Sequence, residues 1–268
     1  MIRVGIGGWV YEPWRGTFYP PGLPKTEEFA FACSKVTSIE VNATFYRTQT
    51  PATFRKWADE SPEGFMFSLK GPRYVSNRRV LAEAGPVIEG FLNSGIAELG
   101  PKLGPLVWQL APIKKFDPDD IAGFLKLLPA SHNGLPLRHV LEVRHESFRT
   151  PEFVALLRAH NTAVVYADSD DYPAIPDVTG DLVYARLQRS AADCATGYVS
   201  DEIDAWMRRA RDWDRGGMPA DLPLVDPEHR APSKPRDCFI YFIAGAKERN
   251  PAAAMAFIDC LCREIEGA

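Results

Sequence analysis

Short apolar runs rich in Val, Ile, Phe and Tyr, most of them closed by a polar or turn residue, recur along the chain with helix-like stretches between them. Runs of this kind read as strands, and eight are present: Ile2–Gly8, Val36–Asn42, Phe65–Lys70, Leu106–Ala111, His139–Arg144, Ala163–Asp168, Leu182–Gln188 and Cys238–Ala244. The stretches between them predict helices at Glu27–Ser34, Pro51–Glu60, Pro86–Leu99, Pro118–Leu128, Pro151–His160, Asp201–Trp213 and Pro251–Ile265. Four of these begin at a proline preceded by Thr50, Asp117, Thr150 or Asn250. Proline at the first helical position loses no hydrogen bond, and a Thr, Asp or Asn before it caps the helix. Alternating strands and helices imply a parallel sheet with right-handed crossovers. Eight strands in this length predict an α/β fold, a TIM-like (β/α)8-type barrel. Ser169–Gly180 is too short and too interrupted by prolines for a helix after the sixth strand, so the barrel is expected to be irregular around its sixth and seventh units.

The length of 268 residues suits one barrel domain, since such barrels run to roughly 250 residues. Gly216–Arg236 is proline-rich and without periodicity. It joins a helix to a strand, so it is expected on the face away from the strand C-termini, extended or mobile. Apolar residues make up 46% and charged residues 25%, enough for a full core. A net charge of −4 lacks the basic excess of a dedicated nucleic-acid binder. Five cysteines without framework spacing argue against a disulfide scaffold or a zinc site. No signal-peptide layout opens the chain, and no apolar run reaches the roughly 18 residues of a membrane span. A cytoplasmic protein without membrane contact is expected; the oligomeric state is left open.

Side chains two apart on a strand share a face. Parity therefore groups Glu40 with Asn42, Met66 with Ser68 and Lys70, Glu142 with Arg144, Tyr166 with Asp168, and Tyr184 with Arg186 and Gln188, while Gln109 stands alone between Trp108 and Leu110. These polar groups lie near strand C-termini, the end where barrel enzymes build their sites. Three acids (Glu40, Glu142, Asp168) face three bases (Lys70, Arg144, Arg186), a ring that neutralises itself. The cations would repel a divalent ion, so no metal and no cofactor are expected. His145, just past the fifth strand, reads either as a proton carrier or as a loop histidine holding its turn.

Longer motifs are also present: Gly8-Trp9 with Tyr11 and Trp14, Phe18-Tyr19-Pro20, Glu40-Val41-Asn42, Thr44-Phe45-Tyr46-Arg47, Gln109-Leu110-Ala111-Pro112, Glu142-Val143-Arg144-His145 and Tyr184-Ala185-Arg186-Leu187. By these the chain resembles the YecE-like family, a domain of unknown function. The resemblance implies a barrel related to the eightfold type and no established reaction. The chain departs from the family pattern at three places. Ile6-Gly7-Gly8-Trp9 stands for Thr-Ser-Gly-Trp, Gln188-Arg189 for His-Gly, and Ile243-Ala244-Gly245 for aromatic residues and asparagines.

Three functions compete. The first is a small-molecule enzyme of hydrolase, lyase or isomerase type working by acid/base chemistry on a polar, anionic substrate. Lys70, Arg144 and Arg186 would grip the anion. Glu142, Glu40, Asp168 or His145 would move protons, Asn42 and Gln109 would orient, and Trp9, Tyr11, Trp14 and Tyr46 would wall the pocket. The second is nucleic-acid binding or processing, with aromatics of Trp9–Tyr19 on bases and Arg47, Arg73, Arg78 and Arg79 on phosphates. A loop packed on the barrel mouth is the simpler account of those aromatics. The third is a metabolite-binding barrel without catalysis.

Overall fold

The computed structural model describes residues 1–266. Eight parallel strands close into a barrel: β1 (Ile2–Gly7), β2 (Ser38–Val41), β3 (Met66–Lys70), β4 (Leu103–Gln109), β5 (His139–Glu142), β6 (Ala163–Asp168), β7 (Leu182–Leu187) and β8 (Asp237–Phe242). Around them pack α1 (Glu28–Lys35), α2 (Pro51–Glu60), α3 (Gly85–Leu92), α4 (Pro118–Lys126), α5 (Pro151–Ala159), α6 (Ser200–Asp214) and α7 (Asn250–Glu266). Residues 169–181, between β6 and β7, form no helix, as their prolines predict. Ile175 and Val178 of this segment are buried where helix side chains would otherwise lie.

Three of the four expected caps form. Thr50 accepts from the Thr53 N–H, Asp117 from those of Asp119 and Asp120, and Thr150 from that of Phe153. The fourth differs. Asn250 is already helical, and its side chain ties the Ser190 hydroxyl (2.8 Å) to the Ala244 carbonyl (3.0 Å). The helix expected over Pro86–Leu99 stops at Leu92 and resumes as a 3-10 segment, Ile96–Lys102. Gly95 makes the break at φ +105°, where a Cβ would sit 2.7 Å from Pro51. β4 begins three residues earlier than its apolar run, and its ladder with β3 shifts between Phe67 and Leu69. Pro105 lies in that shift and has no N–H to give.

The barrel interior is layered. Val107, Val140, Ala163, Val165, Leu182 and Phe239 fill its lower part. Above them the Tyr241 hydroxyl contacts Ser38 Oγ (2.5 Å) and Ser68 Oγ (2.7 Å), so this buried phenol is fully paired. The charged side chains form the next layer toward the strand C-termini.

The 216–236 loop lies at the opposite end, as its connection requires, but it is neither free nor merely extended. Asp177 accepts the N–H groups of Val225 (2.7 Å) and Asp226 (2.9 Å), Arg158 pairs with Asp226 at 2.6 Å, and Lys234 reaches Asp181 at 2.6 Å. Leu222 is buried. A proline-rich composition reports the absence of helix and says nothing of such non-local anchors. Asp177→Ala leaves the N–H groups of Val225 and Asp226 without their acceptor. This is expected to cost about 2–3 kcal/mol in urea unfolding and to make trypsin cleave the loop faster than in the parent chain.

Candidate functional site

Arg186 of β7 is the centre of the charged layer. It is 4% exposed, and its geometry is that of a fork between two carboxylates. One terminal nitrogen donates to both oxygens of Glu142 at 2.7 Å, and the other reaches Glu40 Oε1 at 3.2 Å. Tyr184, two residues back on the same face, donates its hydroxyl to Glu40 Oε2 at 2.8 Å. Arg144 donates Nε to Glu142 Oε1 at 3.0 Å and lays its guanidinium 4.4 Å from the Tyr172 ring. Gln109 of β4 bridges outward. Its Nε2 donates to Glu142 Oε2 at 2.7 Å, and its Oε1 accepts from Lys70 Nζ at 2.9 Å. The amide is thereby locked in one orientation. Among the described residues Lys70 has no carboxylate partner within ion-pair distance, and it sits 4.3 Å over the Phe45 ring.

Asp168 does not join this ring. On β6 it is Ala167 that stands beside Arg186, so Ala163, Val165 and Ala167 face inward. Tyr166 instead packs on Trp206 and Trp213 of α6. Asp168 shares that outer parity and pairs with Arg189 at 3.4 Å; burial raises its pKa, partly offset by Arg189. The correction changes the charge count. Three cations (Lys70, Arg144, Arg186) now meet two carboxylates (Glu40, Glu142), one positive charge in excess.

That excess shows in the titrations. Burial pushes the Lys70 ammonium down, Arg186 pushes the same way, and Glu40 and Glu142 only partly oppose them, leaving a pKa of about 8. Burial alone would push Glu142 up, but Arg186, Arg144, Lys70 and the Gln109 bond outweigh it and hold the carboxyl at about 2. Glu142 is therefore a fixed anion at neutral pH, and Lys70 is the group poised to exchange a proton.

Spare donors mark the same place. Arg186 Nε and Gln188 Nε2 are buried with no partner among the described residues. Both belong to β7 or its immediate end, with one parity. No three His, Cys, Asp or Glu side chains converge among the described residues, and both carboxylates of the centre are already engaged by Arg186.

The other expected site residues are placed differently. His145 Nδ1 accepts the Ser147 N–H at 3.1 Å, so its ring caps the turn after β5. Asn42 is half-buried where a short helical turn, Ala43–Tyr46, begins. Trp9 packs edge-on against Phe29 and Trp57, Trp14 is buried with its Nε1 on the Lys247 carbonyl, and Tyr11 lies between Trp14 and the Lys247 ammonium. Tyr11 and Trp14 tie the β1–α1 loop to the β8–α7 loop, whereas Trp9 holds its end of the loop against α1 and α2. Tyr46 is 63% exposed. The rings that do touch the site cations, Phe45 and Tyr172, lie in turns beyond the strand ends, where parity gives no signal.

Two of the departures from the YecE-like pattern form one packing unit. A Cβ at Gly7 would meet the Ile243 side chain at 2.5 Å. The isoleucine therefore fills the space that a side chain at 7 would need.

A family model described as "Protein of unknown function DUF72" matches residues 3–267. UPF0759 protein YecE of Escherichia coli is 28% identical over 153 residues, 55% of this chain and 50% of that protein. UPF0759 protein YunF of Bacillus subtilis is 24% identical over 57% of this chain and 54% of its own length. The chain thus matches about half the length of these curated relatives. Among solved structures, a DUF72 family protein of Thermotoga maritima superposes with TM-score 0.73 at 21% identity, covering 97% of this chain and 99% of that one. One of Enterococcus faecalis gives 0.68 at 16% identity, covering 98% of each. At these identities the superpositions speak for the fold alone.

Removing the fork is expected to be costly. Arg186→Met strands two buried carboxylates and should cost about 3–5 kcal/mol, whereas adding Glu142→Gln should recover part of that loss. A double-mutant cycle in urea that comes out additive would show the pair uncoupled. Glu142 also sets an acid limit. Its folded pKa lies below the ordinary 4.5, so its stabilisation is complete above that value and lost as pH falls toward about 2. The loss should amount to about 3 kcal/mol, read as a steeper fall of Tm with acid than in Glu142→Gln.

Proposed function

The chain belongs to the DUF72 family of proteins of unknown function, and on its charge centre we propose that it takes a small anionic ligand at the strand C-termini. The observation that carries the reading is the unbalanced cation. Arg186 is taken up by Glu40 and Glu142, but among the described residues Lys70 is held only by an amide and a ring. A carboxylate or phosphate oxygen completes the coordination of Lys70. Arg144, whose side chain is 18% exposed, offers the second contact.

The chemistry best supported is acid/base work on that polar substrate, of hydrolase, lyase or isomerase type. Efficient proton transfer needs a group with a pKa near the working pH. Lys70 meets this at about 8; Glu142, fixed as an anion, acts as counter-ion and anchor. The donor set favours metal-independent chemistry, because both carboxylates are already bound by Arg186 and Glu142 is bound by Arg144 as well. No helix among the described residues is long and apolar enough to cross a membrane.

Sulfate is a suitable probe because it keeps its double charge from neutral to alkaline pH. Its stabilisation of the protein, read by thermal shift, is expected at neutral pH and should fade as pH rises through about 8, where Lys70 gives up its proton. Lys70→Met should weaken sulfate binding about tenfold or more, the worth of one hydrogen bond to a charged group. Equal stabilisation in parent and variant, or no change with pH, refutes the assignment.

A further inference from the structure

The barrel mouth carries a second feature that the buried centre does not use. The loops leaving β3 and β4 border two open hollows of about 570 Å³ each. Arg73, Tyr74 and Val87 line the first, Arg79, Lys115 and Phe116 the second, and Asn77 and Arg78 belong to both. The shared residues make one continuous groove.

Its charge is unlike that of the chain, which is −4 overall. Lys114 is neutralised by Asp120 at 2.5 Å, and Asp117 accepts the first N–H groups of α4. Among the described residues Arg73, Arg78, Arg79 and Lys115 have no carboxylate partner. Arg47 ends the adjoining turn Ala43–Tyr46, which is bonded to the end of β3 through Thr44 Oγ1 and the Lys70 carbonyl (2.7 Å). The apolar exposure is equally local. Of seven exposed large hydrophobic residues among those described, Tyr46 (63%), Tyr74 (63%), Val80 (39%) and Ile113 (88%) lie on this turn and these loops.

Unopposed cations along a groove track phosphates, and exposed aromatic faces stack on unpaired bases. A lipid surface favours a convex, inserting edge, and a duplex presents phosphates but no base faces to the tyrosines. Two hollows in series fit a chain better than one nucleotide. We propose that this groove binds single-stranded nucleic acid, with Arg73, Arg78, Arg79 and Lys115 on the backbone and Tyr74 against a base.

The test is fluorescence anisotropy of a labelled oligothymidylate of about fifteen nucleotides across a salt series. Arg78→Glu/Arg79→Glu should weaken binding at least about tenfold and flatten the slope of log affinity against log salt by about 1.4, two contacts at about 0.7 each. Tyr74→Ala should weaken it about tenfold with the slope unchanged. Arg230→Glu, the same charge reversal on the 216–236 loop at the far end, should change nothing. Lys115→Glu replaces the double variant if that one melts earlier than the parent. Absence of binding near physiological salt overturns the proposal, as does indifference to the groove variants or equal affinity for a duplex of the same length. Capture by phosphatidylserine vesicles with no affinity for the oligonucleotide would likewise overturn it, assigning the groove to membranes.

Discussion

The Arg186 guanidinium held between Glu40 and Glu142 fixes the rest of the upper barrel. Its planar fork of five donors serves two carboxylates from separate strands at once. It joins β2, β5 and β7 across the interior. Once Glu142 is committed to it, Gln109 has only one way to turn, with its nitrogen toward the carboxylate and its oxygen toward Lys70. Once both carboxylates are committed, Lys70 is left in charge surplus and its pKa falls. Orientation of the amide, depression of the lysine and anchoring of the glutamate are thus three results of one contact. Isolated charges in such a place would be costly; paired this way they support each other.

Much of this was legible in the chain. The eight apolar runs become the eight barrel strands, and the Thr-Pro and Asp-Pro starts become capped helices, because each depends on local chemistry. Strand parity also brings Glu40, Lys70, Gln109, Glu142 and Arg186 together, since a one-residue error would bury them among helix side chains. β6 shows where that logic stops. Its strand is covered on both faces, and Tyr166 finds its place against Trp206 and Trp213, some forty residues away in sequence. Nothing within Ala163–Asp168 reveals which face α6 will claim.

The same limit applies to segments without periodicity. The anchors of the 216–236 loop are Arg158, Asp177 and Asp181, from two other connections of the barrel. Pairings of that kind arise only when the chain closes. Phe45 and Tyr172 escaped for a related reason, being carried by turns whose direction is set by the backbone after the strand ends. The fold was therefore legible where it repeats, and the site only where it lies on a strand.

Gly7 and Ile243 share one volume, so the history of the mouth depends on order. A side chain at position 7 enters only after Ile243 has turned away or become smaller, because a Cβ there would already lie 2.5 Å from it. Shrinking residue 243 first leaves a void in its place. Each single step crosses a less stable intermediate, while the two together exchange one packing for another. Neighbouring positions of this kind are energetically coupled, and the rim between β1 and β8 is held in its present shape by that linkage.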